Sequence, residues 1–371
     1  MELEPIPTPA RRSTVIASAA GAQPLAVGSE PLITRLHTHD VDEQAENLHQ
    51  WDQTYVQLSP GRFEGRLIEA WFGDIHFFRE TTNQVIHQRG RSRPASRTFC
   101  IPVSMDGMAC FRGSEWGPRA CTTMGGDVEF DLRTSRRLDV IGVSFRAERL
   151  AEAACEHDLD PAGLERWLAG SCSADLPAEG VEPLRRMLLE VALMVESRSL
   201  LLRHPGVCAS IEAAIQAAFV RLMASAVEVR KPHGSHLARR RLVSRAIDLV
   251  AAHPDALLTV SDLCRMLEVS RRTLQLYFED VLQVSPLQYL RAFRLGKVRA
   301  LIQAEAGHLR VQDAAARWGF WHLSQFSRDY RRLFGELPSQ TLLDARRAAA
   351  PEAPSGGIRG ALDARSSRVA R

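Results

Sequence analysis

The sequence predicts an α+β protein with several domains. A β-rich barrel or sandwich comes first, then a helical connector, then an all-α domain with two helix-turn-helix units. Short runs typical of strands occupy residues 63–145, long Ala/Leu-rich amphipathic runs occupy residues 147–229, and the last third repeats one pattern. A chain of 371 residues is long enough for two or three such domains.

Domain boundaries follow from changes in composition and periodicity. Both ends of the chain are rich in small residues and proline with little periodicity, and Lys231-Pro232-His233-Gly234-Ser235 interrupts a helical pattern. The predicted segments are a disordered leader (1–28), a β-rich sensor-like domain (29–146), a helical connector (147–230), a double helix-turn-helix domain (236–348) and a disordered tail (349–371).

The β-rich segment is predicted from at least six short runs, such as DIHFFRE and LDVIGVSF, separated by Gly, Asp and Asn. A short helix is expected to begin near Asp42, before the first clear strand at Phe63. Aromatic residues could line a ligand pocket, but β cores are usually filled by such side chains, so core filling is the favoured interpretation. These residues are Trp71, Phe72, Phe77, Phe99, Phe111 and Trp116.

Composition indicates an ordinary soluble protein of the cytoplasm. No apolar run approaches the ~18 residues of a membrane span, and the N-terminus lacks the pattern of a secretory signal. The seven cysteines are scattered without a CxxC, which favours buried reduced thiols over a disulfide framework or zinc finger. No cofactor or metal is predicted.

Charge is distributed unevenly along the chain. The net charge is +3, but residues 236–349 hold 18 Lys/Arg against 11 Asp/Glu. Local positive charge of this kind is what binding to phosphates requires, although a solvated basic surface would look the same.

The repeated pattern consists of residues 260–286 and 311–338, each opened by valine and closed by proline. In each copy a short apolar helix precedes a tight turn and a longer helix that is apolar on one side. Ser270 is placed to cap the second helix of the first copy. The apolar spacing predicts that Leu274 and Phe278 face inward in that helix, and that Phe326 and Tyr330 do so in the second copy.

The outward faces of the two longer helices have side chains suited to reading bases, because arginine can bind guanine and glutamine can bind adenine in the major groove. The predicted base-reading residues are Arg272, Gln275, Leu276, Ser324, Gln325 and Arg328. The predicted phosphate contacts are Arg271, Thr273, Arg291, Arg294, Lys297, His322, Arg331 and Arg332. Between the copies, residues 287–302 predict a helical strut of roughly 24 Å that could space the two reading helices along DNA.

SPLQYLRAFRL followed by GFWHLSQFSRDYRRLFGELP resembles the DNA-binding domain of AraC/XylS-type transcription regulators over about 100 residues. Within that family, SRRTLQLYFEDVL and residues 321–342 look closest to the ethanolamine-utilisation regulators. The resemblance implies two helix-turn-helix units in successive segments of the major groove, a β-rich domain that senses a small molecule or dimerises, and contact with RNA polymerase. It favours an activator over a repressor. Trp321, where a small capping residue is usual, and Gly296 inside the strut depart from the pattern.

The connector has two interpretations. Its helices, LRRMLLEVALMVESRSLLL and CASIEAAIQAAFVRLMASAV, could complete the core of the β domain or pair with a second subunit. The family resemblance raises the second option.

Two other classes of function remain open alongside a non-enzymatic regulator. One is a cupin-type or DNA-repair enzyme fused to a DNA-binding module, and the other is an adaptor on DNA whose first domain binds a protein and no small ligand. His37-x-His39-x-x-x-Glu43 matches part of a cupin metal site, and the predicted fold would be cupin-like. The motif precedes the first predicted strand and has no glycine at Pro31 or Gln50, so a structural or solvated role is the favoured interpretation.

Overall fold

The structure, a computed structural model, describes residues 32–126, 128–156, 165, 167–168, 171–197, 199–224, 229–230 and 234–349. The expected leader, residues 231–233 of the expected linker and the expected tail after residue 349 lie outside the described residues.

The strands are β1 Ile33–Thr38, β2 Asp52–Gln57, β3 Gly65–Phe72, β4 Ile75–Thr82, β5 Ile86–Arg91, β6 Ser96–Met105, β7 Ala109–Phe111, β8 Ser114–Trp116, β9 Ala120–Gly125, β10 Phe130–Arg133, β11 Leu138–Arg146, β12 Cys172–Asp175 and β13 Val229–Arg230.

The described helices fall before, within and after the connector. They are α1 Val41–Glu46, α2 Ala147–Glu156, α3 Ala178–Glu196, α4 Pro205–Ala224, α5 Gly234–Ala252, α6 Val260–Leu267, α7 Arg271–Leu282, α8 Pro286–Ala304, α9 Val311–Arg317, α10 Leu323–Phe334 and α11 Pro338–Ala349. We call residues 33–146 the β region and residues 234–349 the C-terminal helices.

The strands form two antiparallel sheets, which the β region supplies except for β12 and β13. The larger has the order β1-β3-β4-β11-β6-β9-β12-β13 and the smaller the order β2-β5-β10-β7-β8. Successive residues of a strand point to opposite faces, so Phe78 lies in the core between the sheets while Phe77 lies in a second core. That second core is formed by the outer face of the larger sheet with α2, α3 and α4, where Phe219 packs against Phe99 and Phe145.

The β-rich character is confirmed, but the strands begin earlier than predicted. β1 and β2 lie on either side of α1 and precede Phe63. They are short and half-polar, and each is stabilised by pairing with a distant strand, β1 with β3 and β2 with β5. The α1 helix is also shorter than expected, with Asp40 as its N-cap accepting from the backbone N–H groups of Asp42 and Glu43.

The connector is not wholly helical, because β12 lies within it. This strand pairs with β9 through Cys172–Thr123 to Asp175–Ala120 and so extends the larger sheet. A strand of four residues is too short for its alternating pattern to be recognised between two helical patterns. The α5 helix begins at Gly234, two residues before the predicted start of the last domain.

Among the described residues, α4 is long and apolar enough to cross a membrane when judged by length and composition. That is weak evidence, since core helices of soluble proteins pass the same test. Ile215, Phe219 and Met223 of this helix are fully buried against the larger sheet.

The aromatic residues are placed mainly as core filling. Phe72, Phe77 and Phe99 lie in the core beneath the helices. Phe111 and Trp116 lie between the two sheets, beside a cavity of about 30 Å³. That volume is about that of one water molecule and far below the several hundred Å³ of a ligand pocket.

The histidine motif has structural partners. His37 lies in β1, not before the first strand, and its Nε2 is 3.2 Å from Glu64 Oε1. His39 Nδ1 is 3.0 Å from the Phe63 carbonyl, and Thr38 donates to Glu43. The described residues contain no group of three or more His, Cys, Asp or Glu side chains arranged to hold a metal.

A buried carboxylate links three parts of the β region. Glu69 is 1% exposed, and its Oε1 lies 2.6 Å from His76 Nε2 while Oε2 contacts His49 Nδ1. Burial opposes ionisation, but the hydrogen bonds from His49 and His76 outweigh it and lower the pKa of Glu69 from 4.5 to about 2. Trp71 stacks on His76 at 4.4 Å, so the cluster also positions an aromatic ring.

We predict that Glu69→Gln destabilises the protein at neutral pH by roughly 2 kcal/mol. Because the folded pKa lies below the unfolded one, the ionised side chain stabilises the fold above its ordinary pKa of 4.5, and this contribution is lost as the pH falls toward 2. Urea midpoints of both proteins between pH 2 and 7 should therefore converge at the acid end. A difference that is constant over the whole range would contradict this account.

Candidate nucleic-acid interface

The first helix pair, α6 and α7, is delimited by local capping. Thr259 and Asp262 form a capping box at the start of α6, with backbone-to-side-chain distances of 3.2 and 3.0 Å. Glu268 ends α6 in the left-handed conformation, with φ of 55°. Ser270 then caps α7 by accepting from the Thr273 backbone N–H at 3.1 Å. The turn and the cap both lie where the sequence placed them.

The α7 helix separates an apolar face from a polar one. Leu274, Phe278 and Val281 are buried with α5 and α6, as predicted. Arg272 is exposed on the opposite side, as is Leu276 at 54% exposure. Gln275 is half-buried and its side-chain amide donates to Glu279 one turn later.

The second pair, α9 and α10, repeats this division. Phe326 and Tyr330 are buried, while Ser324, Gln325 and Arg328 are exposed. Arg328 donates to Gln325 Oε1 at 2.8 Å, and Gln325 donates to Asp329 at 2.9 Å. Gln325 and Arg328 are therefore already linked by a hydrogen bond on this surface.

The α10 helix starts without a side-chain cap. His322 is the N-cap residue and its side chain makes no capping hydrogen bond. The N–H groups of this first turn have no intrahelical acceptors, and such groups favour anions. His322 is exposed beside them.

The basic residues of α8 are placed differently from the prediction. Arg294 is half-buried, and its Nη2 donates to the carbonyls of Leu257 and Leu258 at 2.7 and 2.8 Å. Burial lowers its pKa. These contacts fasten α8 to the turn before α6, so the Arg294 guanidinium is not directed at a phosphate as the sequence predicted.

The neighbouring basic residues of α8 are also engaged within the protein. Arg291 pairs with Asp329 of α10. Lys297 lies 5.4 Å from the Phe293 ring centre and interacts with Asp42 of the β region, whose pKa burial raises to about 7. Both remain exposed, but their charges already have partners. Much of the basic character of α8 therefore serves to hold the molecule together.

The remaining candidates lie on α7 and α10. Arg271 and Arg272 begin α7, and Arg331 and Arg332 are exposed near the end of α10. Thr273 is half-buried, and its hydroxyl shares a hydrogen bond of 2.8 Å with Ser270.

Sequence reasoning missed one feature of this surface. Trp321 is 74% exposed immediately before α10, and Leu323 is 43% exposed. The sequence signal was available, since Trp321 departs from the expected capping residue. Large apolar side chains beside a polar reading face suit contact with thymine methyl groups or sugars.

Comparison with known proteins places a helix-turn-helix domain over residues 263–343, the span of the matching family model. The probable thc operon regulatory protein of Rhodococcus erythropolis is 36% identical over 102 residues, which cover 27% of this chain and 31% of that protein. The XylDLEGF operon transcriptional activator 2 of Pseudomonas putida is 31% identical over 99 residues, covering 26% of this chain and 63% of that protein. The chain thus spans less than two thirds of either relative.

Two solved structures are similar over longer stretches but at low scores. The AraC-like transcriptional activator CuxR has a TM-score of 0.38 and 18% identity, covering 76% of this chain and 100% of that chain. ToxT from Vibrio cholerae has a TM-score of 0.27 and 10% identity, covering 85% and 98%.

The C-terminal helices therefore contain a helix-turn-helix domain. The relatives are named as regulators of operons, and the matched segments cover 27% and 26% of this chain.

We predict that Arg294→Met lowers the free energy of unfolding by about 1–3 kcal/mol, because two half-buried carbonyls lose their donor. Urea unfolding of the full chain measures this. Arg328→Met is a matched control on an exposed surface and should change stability by no more than about 0.5 kcal/mol. Equal effects of the two substitutions would show that the Arg294 contacts contribute nothing special.

Proposed function

We propose that the protein is a sequence-specific DNA-binding transcription regulator, with α6–α7 and α9–α10 as two helix-turn-helix units. The observation that supports this most is the presence of two similar helices, α7 and α10, each buried on one side and carrying an exposed arginine and a glutamine on the other. Basic side chains displace counterions from phosphates, and the two helices then read bases. The mechanism requires no catalysis.

The proposed base-reading residues divide between the two helices. Arg272 suits guanine, glutamine at 275 or 325 suits adenine, and Leu276 suits a thymine methyl group. The hydrogen bonds from Gln275 to Glu279 and from Gln325 to Asp329 would have to open on binding. The proposed set is Arg272, Gln275, Leu276, Ser324, Gln325 and Arg328, with Trp321 added on the evidence of its exposure.

The proposed phosphate contacts are cationic or donor groups near the ends of the reading helices. Arg271 and Thr273 serve α7, while His322, Arg331 and Arg332 serve α10. Arg291 and Lys297 stay as secondary candidates because each would first leave an internal partner.

The control of DNA binding is proposed to lie in the rest of the chain. A small molecule or partner bound there would act through differential affinity for two states. The space between the sheets is too small for this role, but a charged cleft of about 310 Å³ beside Asp74 has the volume of a small-ligand site. The cleft is lined by Arg146, Arg149, Glu152 and Glu212. Because it presents positive and negative side chains, it favours a ligand that has charges of both signs.

A homodimer through α3 and α4 is supported by an apolar groove of about 670 Å³ between them. Leu193 is 57% exposed on α3, and Met187 and Met194 line the groove. Exposed apolar surface of this kind is typical of an interaction site.

The remaining proposals rest on the family resemblance and on relatives. Action as an activator is supported by the name of the Pseudomonas relative. The family resemblance supports contact with RNA polymerase, a cytoplasmic location, a cupin-like β region and kinship with the ethanolamine-utilisation group.

We expect Arg272→Ala and Gln275→Ala to weaken binding to the preferred duplex by roughly 1–3 kcal/mol while largely sparing other DNA. Loss of a base contact removes discrimination, whereas the phosphate contacts persist. A preferred duplex is first selected by the full-length protein from a randomised library, and titrations then use that duplex and a scrambled one. Equal losses on both duplexes would refute base reading by α7.

Arg331→Met should weaken binding to all duplexes alike and reduce the slope of log K against log salt by about 1. Arg294→Met provides the control, because its guanidinium is held by Leu257 and Leu258 and should leave the slope unchanged. Titrations of the scrambled duplex between 50 and 200 mM salt, roughly the range over which phosphate contacts are felt, measure both slopes. A slope that falls only for Arg294→Met would reverse our assignment.

A further inference from the structure

The carboxyl ends of α7 and α10, the two proposed reading helices, are held by the β region. Arg133 Nε donates to the carbonyl of Leu282, the last residue of α7, at 2.9 Å. At α10, Gln57 Nε2 donates to the Leu333 carbonyl at 2.6 Å. The Gly61 backbone N–H lies 3.1 Å from the carbonyls of both Arg332 and Leu333. The β region therefore contacts the same end of two separate helices.

These donors satisfy a physical requirement of helix ends. The last four carbonyls of a helix have no intrahelical partner, and they carry partial negative charge. A guanidinium or amide directed at them is therefore favourable, and it fixes the position of the helix end. Gly335, the left-handed C-cap of α10, has no room for a side chain because a Cβ there would lie 2.9 Å from the Arg62 backbone nitrogen.

The same part of the β region also lies between the two helix pairs. Val56 at the end of β2 and Leu58 just after it contact the apolar core of α5–α7 and also that of α9–α11. Two polar contacts between the β region and α8 accompany the apolar contacts of Val56 and Leu58. His87 lies 3.2 Å from Tyr289 Oη, and Arg299 pairs with Asp40 at 3.1 Å.

We propose that the β region is a clamp that sets the separation and relative direction of α7 and α10, with Arg133 and Gln57 as positioning residues for DNA recognition. This inference rests on the proposed function. Without the clamp, α8 alone connects the two pairs, through a left-handed residue at Gln283 before it and a non-helical Glu305 after it. A change of one base pair moves a half-site by about 3.4 Å and about 35° around the duplex, so the clamp would impose a strict spacing.

The spacing test uses full-length protein and the duplex selected by it, together with versions lengthened or shortened by one base pair between the two contacted segments. The wild type should discriminate against the altered duplexes. Arg133→Met and Gln57→Leu should each reduce that discrimination roughly fivefold, which corresponds to one lost hydrogen bond. Arg136→Met, an exposed position three residues from Arg133, is the matched control and should behave as wild type.

Amide hydrogen exchange of the same proteins without DNA tests the clamp independently of DNA binding. Arg133→Met should speed exchange at the end of α7, and Gln57→Leu at the end of α10, with Arg136→Met changing neither. Because Gln57 is buried, its substitution could unfold the β region, and Arg133→Met then carries the test. Unchanged exchange at the helix ends, or unchanged spacing discrimination, would overturn the clamp. Absence of any preferred duplex for the wild type would instead overturn the proposed function.

Discussion

Burial of the Arg299 guanidinium determines how the two halves of this molecule meet. Its side chain is 7% exposed, and a charge removed from water must be paired. Its partners come from three places: Asp40 before α1, Glu336 after α10, and the ring of Phe334, which lies 4.9 Å away. Gln303 adds a hydrogen bond of 2.6 Å to the same Asp40. Arg299 can pair with Asp40 only when the β region lies against α8. This one cation therefore joins the start of α1, the helix α8 and the second helix pair.

The other arginines of α8 are likewise engaged within the protein. A strut between two DNA-reading units would be expected to present its arginines to the phosphates. Here Arg294 supports the turn before α6, Arg291 reaches α10, and Arg299 faces the β region. Under the proposed function, the arginines left for DNA lie at the start of α7 and in the middle and end of α10. A high local count of arginine therefore overstates the charge available to a ligand, because some of it is consumed internally.

The β region shows why strands can lose their alternating pattern. The larger sheet is covered on one face by the smaller sheet and on the other by α2, α3 and α4. Neighbours such as Phe77 and Phe78 are both buried, in different cores. The same arrangement fills the space between the sheets, so that the aromatic residues serve packing. The cavity with the volume of a small ligand is instead the charged cleft beside Asp74.

The sequence by itself determined the helix pairs, their turns and the apolar faces of α7 and α10, because capping residues and a period of 3.6 act over a few neighbouring positions. It also determined the presence of a β-rich region, although not β1, β2 or β12, whose stability comes from pairing with distant strands. Only the tertiary structure decided the partners of Arg294 and Arg299, the exposure of Trp321 and the contact of Arg133 and Gln57 with the two helix ends. The reason is that these properties depend on residues 36 to 276 positions apart, and no local pattern records which distant carbonyl or carboxylate a long polar side chain will meet.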